Sequence, residues 1–263
     1  MSGTIGSWIS ESWNAKAVTV AVIATTTGIA FVYLRLRKSD RTISRPPGAA
    51  CIEYDRLMTD RKRKLFSELE SLKNARGDDR LVLLEIGCGG GNNFKYYPVG
   101  SQVICVDPSR RCEAALYENI RQHPGVEISV FHVASAENMR EVQSGSVDAV
   151  ISTAVLCCVS DPDHCIQEII RVLKPGGKLF LMEHVKSPPE FYVIRLAQMV
   201  GNLVWPFLHH GCHLTRTVQD NIRKAGFSSV DIEEFEAHEF MKARVEWHGI
   251  RLLRSHISGT ATK

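Results

Sequence analysis

LVLLEIGCGGG, Leu81–Gly91, is the stretch whose reading decides the fold. Apolar residues run from Leu81 to Leu84, an acid stands at Glu85, and glycines crowd the end. A short apolar run that ends at glycine predicts a buried parallel strand followed by a tight turn. Gly87, Gly89, Gly90 and Gly91 let that turn take positive φ and come close to a ligand. Asn92–Tyr97 is expected to open a helix whose first amides face the same ligand.

The spacing narrows the ligand. A dinucleotide-binding turn carries G-x-G-x-x-G, and Gly87 and Gly89 fit it, but Asn92 holds the third position. No Gly-Lys-Ser/Thr follows, so a phosphate loop has no support either. The pattern is Glu85-x-Gly87-x-Gly89-x-Gly91. A carboxylate at the strand end repels a pyrophosphate and suits a ligand with an ammonium group, such as the methionine part of S-adenosylmethionine (SAM). A purely structural glycine turn is the alternative. Gln102–Val106 reads as a second strand that ends at Asp107. An acid there, about 20 residues on, is placed to bind ribose hydroxyls.

With Glu85–Gly91 and Asp107 in view, the chain resembles the class I SAM-dependent methyltransferases from about Leu81 to its end. The resemblance implies an α/β fold: a Rossmann-like, mostly parallel seven-stranded sheet with helices on both faces. It implies SAM as cofactor, held by Glu85, Gly87, Cys88, Gly89, Gly91, Asp107 and Pro108. Ala136 and Glu137 would lie on the adenine side, and Thr153 at the end of the fourth strand. For Glu137 an ordinary acid at a helix N-terminus is the competing reading.

The chain has 263 residues, room for one α/β domain and additions. Its 44% hydrophobic and 23% charged content is that of a globular protein, and a net charge of +3 gives no nucleic-acid bias. Eight cysteines with no C-x-x-C pair read as reduced thiols in a cytosolic setting.

Ala17–Leu34 carries no charge for 18 residues, just enough for a membrane-spanning helix. Residues 1–38 therefore read as an N-terminal membrane anchor, with a cleaved signal peptide or a buried core helix as alternatives. Arg35, Arg37 and Lys38 follow the run and place the remainder on the cytosolic side. Residues 39–50, with Pro46, Pro47 and Gly48, read as a linker, and residues 51–263 as the catalytic domain. Glu53–Lys73 has helix composition.

Further on, Ser109–His123 reads as a helix capped by Ser109, Glu127–Val133 as the third strand and Ser146–Ser152 as the fourth. Pro162–Leu173 is a helix stopped by Pro175 and Gly176, and Lys178–Met182 is the fifth strand, leading to Glu183 and His184. Residues 188–211 form an apolar insertion: core packing, a substrate lid, or an element dipping into a membrane. His209, His210, Cys212 and His213 are crowded, but adjacent side chains rarely converge on one ion, so no metal is expected. Thr215–Ala225 reads as a helix capped by Thr215. Phe227–Phe235 and Lys242–Leu253 read as the closing antiparallel strands.

After the fourth strand, Thr153–Val159 is small and apolar, which disfavours a planar polar base as methyl acceptor. Leu84–Gly89, Asn93-Phe94-Lys95, Asp107-Pro108, Val155-Leu156-Cys157, Met182–Val185 and Gly211–Arg216 together resemble the membrane-anchored alkyl-thiol methyltransferases of microsomes and lipid droplets. That resemblance implies methylation of a small lipophilic thiol at the surface of the endoplasmic reticulum or a lipid droplet. His184 is the candidate general base, with a packing role as the alternative. Two other functions stay open: O- or C-methylation of a lipophilic phenol or quinone, and SAM binding without turnover.

Overall fold

The structure, a computed structural model, describes residues 54–77, 80–237 and 250–263. Leu81–Ile86 forms strand β1, buried at five of six positions, as its unbroken apolar run requires. The other strands are β2 (Ser101–Asp107), β3 (Val126–Val133), β4 (Val147–Thr153), β5 (Leu173–His184), β6 (Ser229–Glu236) and β7 (Ser255–Thr262). All seven join one sheet in the order β3-β2-β1-β4-β5-β7-β6. β1 to β5 run parallel, and β7 runs antiparallel to both β5 and β6. The strand order reverses between β1 and β4. The crevice beyond their carboxyl ends is where open α/β sheets take ligands.

Among the described residues, six helices flank the sheet: α1 (Thr59–Arg76), α2 (Glu113–Ile120), α3 (Pro162–Val172), α4 (Tyr192–Gly201), α5 (Trp205–Leu208) and α6 (Val218–Lys224). Strand alternation sorts the core into two layers. Leu83, Ile151 and Phe180 pack with Phe66 and Leu69 of α1, Leu116 of α2 and Trp205 of α5. Leu84, Val150 and Leu181 pack with Ile166 and Ile169 of α3 and Val218 and Ile222 of α6. Helix α3 starts as its sequence dictates: the Asp161 carboxylate accepts from His164 N at 3.1 Å, and Pro162 occupies the first turn.

The structure departs from the sequence reading in several places. Asn92–Tyr97 is not an α-helix; it holds turns and a 3₁₀ segment at Phe94–Tyr96. Pro98 explains this, because the residue before a proline is driven out of the helical region, and Tyr97 is extended at φ −81°, ψ 141°. Ser109 makes no side-chain cap; its backbone N–H donates to Asp107 Oδ1 instead. The helix expected from Thr215 begins at Val218, without a side-chain cap.

The last strand is Ser255–Thr262, whereas residues 250–253 form a 3₁₀ turn and 238–249 lie outside the described residues. This strand escaped the hydrophobic pattern because six of its eight residues are Ser, Thr, Gly or Ala. It lies between β5 and β6, and small side chains fit that crowded position. At Gly259, φ is +156°, and a Cβ would collide with the Asp231 carbonyl oxygen.

In the 188–211 insertion, Gln198 and Trp205 turn inward. Tyr192, Val193, Leu196, Met199, Val200, Leu203, Phe207 and Leu208 are exposed. Core packing therefore accounts for one side of this segment only. Ala17–Leu34 lies outside the described residues; among those described, no helix is long and apolar enough to cross a membrane.

Candidate functional site

The glycine turn follows β1 directly. Gly87, Gly89 and Gly91 all have positive φ, at 57°, 49° and 77°. At Gly87 a Cβ would stand 2.5 Å from Val155 Cγ2, and at Gly91 it would strike the Phe94 ring. At Gly89 it would meet nothing within 4 Å, so the turn opens onto free space there. Asn119 of α2 ties the turn down, donating to the carbonyls of Gly90 and Gly91 at 2.8 and 2.9 Å. Cys88 is buried under the turn, and its hydrogen bond with Cys105, together with burial, pushes its thiol well above the ordinary range.

Glu85 ends β1 almost wholly buried. Its Oε1 accepts from Asn93 Nδ2 at 2.8 Å and its Oε2 from the Tyr97 hydroxyl at 2.8 Å. Asn93 Nδ2 also donates to Thr153 Oγ1 at 3.0 Å, and its Oδ1 accepts from Lys62 Nζ. Lys62 and Lys95 in turn donate to the two oxygens of Asp55, each at 2.7 Å. Burial raises the Glu85 pKa to about 7, against the lowering effect of Tyr97, Asn93 and Lys62. Each carboxylate oxygen has spare acceptor capacity, so Glu85 can still take a ligand ammonium.

Asp107 ends β2. Its Oδ2 accepts from Gly89 N at 3.0 Å and its Oδ1 from Ser109 N at 2.8 Å. One backbone bond per oxygen leaves acceptor positions for ribose hydroxyls. Pro108, beside it, is exposed. Ala136 is buried. Glu137 is engaged within the protein: its Oε2 accepts from Ser135 Oγ and its Oε1 from Asp161 N. Taken together, the open position at Gly89 and the acids at the ends of β1 and β2 fit SAM.

Strand alternation places Glu85, Thr153 and His184 on the same sheet face, that of Leu83, Ile151 and Met182. Beyond β4 the chain turns at Ala154, a non-glycine residue at φ +57°. Glu183, fully buried on the opposite face of β5 from His184, holds this turn: it accepts from Ser152 Oγ, Val155 N and Cys157 N. Burial raises the Glu183 pKa.

His184 is buried, with Nε2 2.8 Å from Cys212 Sγ and with no hydrogen-bond partner at Nδ1 among the described residues. Trp205 Nε1 donates to the same sulfur at 3.3 Å. The Cys157 and Cys158 sulfurs are 3.5 Å apart, and with Cys212 Sγ they all lie within 4.8 Å of one another. Hydrogen bonds from Cys157 and Cys158 hold the Cys212 thiol far below its ordinary range. His256 pairs with His184 across β5 and β7, ring centroids 6.3 Å apart, and burial lowers its pKa to about 3.

A methyltransferase-domain family profile matches residues 84–181. Thiol S-methyltransferase TMT1A from Homo sapiens is 38% identical over 210 residues, 80% of this chain and 81% of that protein. Thiol S-methyltransferase TMT1B from Rattus norvegicus is 42% identical over 176 residues, 67% of this chain and 71% of that one. The chain belongs to the thiol S-methyltransferase family. Among solved structures, the N-methyltransferase NodS from Bradyrhizobium japonicum, in complex with S-adenosyl-L-homocysteine, has a similar fold. Its TM-score is 0.56 at 13% identity, over 88% of this chain and 98% of that one.

For this member of the thiol S-methyltransferase family, the sequence reading named Glu85, Asp107 and His184 but not the groups that hold them. Asn93, Tyr97 and Lys62 around Glu85 were missed, although Asn93 sits next to the turn. Cys212 and Cys157 stand in separate motifs of the sequence, and 54 intervening positions hide their meeting.

Proposed function

We propose that the protein transfers a methyl group from SAM to a small lipophilic thiol at a membrane surface. Its relationship to thiol S-methyltransferases across two thirds or more of both chains carries this reading. SAM, when bound, supplies an electrophilic methyl on a sulfonium. Glu85 and Asp107 would hold its ammonium and ribose, and Gly89 leaves room for it. Transfer to a thiolate neutralises opposite charges, so a dry apolar pocket favours the transition state over the separated ions. Leu156, Cys157 and Trp205 are buried and would supply such walls. His184, beside them, would accept the proton that the thiol loses.

Two features support the membrane part. The uncharged Ala17–Leu34 run with basic residues after it reads as an anchor with the domain facing the cytosol, and the resemblance to the microsomal and lipid-droplet alkyl-thiol methyltransferases implies the endoplasmic reticulum or a lipid droplet as its site. The exposed apolar side of α4 and α5 would rest on the same membrane and admit apolar substrates.

A methyl-transfer screen with purified protein and labelled SAM, against thiols, phenols and quinones, tests the acceptor. Methylated thiols support the reading; methylation of phenols or quinones with every thiol ignored overturns it. Deleting residues 1–38 should release the protein on carbonate extraction. Full retention after that deletion would instead place the anchor elsewhere, with α4 and α5 the first segment to test.

A further inference from the structure

Three sulfurs converge beside His184 at the end of β5, and the chain is built to bring them there. The reversed turn at Ala154 and the 2.7 Å bond from Cys158 N to Val155 O fold the adjacent Cys157 and Cys158 so that their sulfurs meet. The segment carrying Cys212 is laced to them: His213 N donates to Cys157 O at 2.8 Å. Gly211, at φ +83°, packs so closely that a Cβ would stand 3.0 Å from Cys158 O. With zinc–sulfur bonds of about 2.3 Å, sulfurs around a tetrahedral ion lie about 3.8 Å apart. A 3.5 Å pair within a 4.8 Å cluster comes close to that spacing.

We infer that Cys157, Cys158 and Cys212 form a three-sulfur zinc site whose open fourth position takes the acceptor thiol. Soft thiolates select zinc over the hard cations, and three protein ligands with an open fourth position is the arrangement of a catalytic zinc. Cys157 and Cys212 are buried, while Cys158 is only partly so, which leaves an approach on its side. Trp205 Nε1, donating to Cys212 Sγ, orients one ligand from outside the cluster.

The metal site stands on this geometry; its role rests on the thiol reading above. A thiol that binds zinc is deprotonated outright. Its S–H bond breaks, the proton passes to the His184 imidazole, and the sulfur bonds to zinc. The sulfur's electron pair then forms the new S–CH₃ bond. The sulfonium–methyl bond breaks, and its pair stays on the departing thioether. Zinc keeps its oxidation state, and the neutral methylated product, a weak ligand, leaves.

The test uses the full-length protein, purified in detergent with a non-thiol reductant and without chelator. Elemental analysis should find one zinc per chain. Replacement by cobalt(II) should give sulfur-to-cobalt charge-transfer bands and the visible bands of tetrahedral geometry. Cys212→Ser and the partly buried Cys158→Ser should each lose most of the metal, while Cys112→Ser, outside the cluster, should keep it. Calorimetric SAM binding shows that each variant is folded. A wild-type protein with no zinc and no charge-transfer bands, another metal in its place, a disulfide within the cluster under these conditions, or bands that survive Cys212→Ser would each overturn the site. Active thiol methylation without metal sinks the zinc and spares the thiol reading. Bound zinc with no thiol methylated does the reverse, and removes zinc from any methyl-transfer step.

Discussion

Glu85 makes SAM binding depend on pH in a way that can be calculated. Burial lifts its pKa from the ordinary 4.5 to about 7. Only the carboxylate attracts an ammonium, so the competent fraction of the free protein is the ionised fraction. At pH 5.5 that fraction is about 3%, and at pH 7 about one half. SAM affinity should therefore rise roughly 15-fold between those values, with proton release per SAM bound falling from about one at pH 5.5 to about one half at pH 7. Above pH 7 the curve flattens.

Stability should move the opposite way. The folded protein holds this proton where the unfolded chain has lost it, so the Glu85 contribution is present in full below pH 4.5 and is lost as pH rises through about 7. The rise from 4.5 to about 7 corresponds to about 3 kcal/mol. His256 acts in the other sense, since its pKa of about 3 costs stability as pH falls below the ordinary 6.5. The difference between wild type and Glu85→Gln isolates Glu85. Titration calorimetry at several pH values, in buffers of different ionisation enthalpy, reads affinity and proton release together. Glu85→Gln should abolish the slope and weaken binding at pH 7.5 by about 1.5–3 kcal/mol, the worth of a hydrogen bond to a charged group. A wild-type affinity that is constant from pH 5.5 to 7, or an equal slope in Glu85→Gln, refutes the reasoning.

Three other substitutions probe separate parts of the molecule. Asp107→Ala removes the acceptor for ribose hydroxyls and frees Gly89 N and Ser109 N, so SAM affinity should fall by about 1.5–3 kcal/mol; unchanged affinity by calorimetry would sink the ribose assignment. Gly259→Ala drives a Cβ into Asp231 O at a φ that disfavours side chains, and should cost about 3 kcal/mol, seen as a melting point lowered by roughly 6–12 °C. His184→Ala should lower turnover roughly 10²–10⁴-fold with SAM affinity unchanged. A turnover within twofold of wild type would assign His184 to packing alone.

The parts of the fold that could be read from sequence are those whose signal is local. An apolar run, an acid and glycines within Leu81–Gly91 dictate β1 and its turn with no help from elsewhere. Likewise, Asp161-Pro162 marks the start of α3 because cap and proline act on their own neighbours. Strand β7 was illegible because its partners decide its composition: between β5 and β6, smallness matters more than hydrophobicity. Pro98 is a local signal too, and it disfavours a helix at Asn92–Tyr97 from the sequence alone.

The sulfur cluster has a different cause. Neither Cys157-Cys158 nor the His-rich run around Cys212 has the spacing of a metal motif, and read singly each points away from one. What joins them is backbone: the positive φ of Ala154 and of Gly211, and the bond from His213 N to Cys157 O. Ala154 adopts a conformation that costs a non-glycine residue roughly 1–3 kcal/mol. Glu183 offsets it with a buried carboxylate that accepts from Val155 N and Cys157 N, on either side of Leu156. That carboxylate is itself raised in pKa by burial, so the turn is held by a group poorly suited to carrying charge there. Such strain persists because the surrounding hydrogen bonds over-determine the turn. That turn carries Cys157 and Cys158, beside the strand end that bears His184.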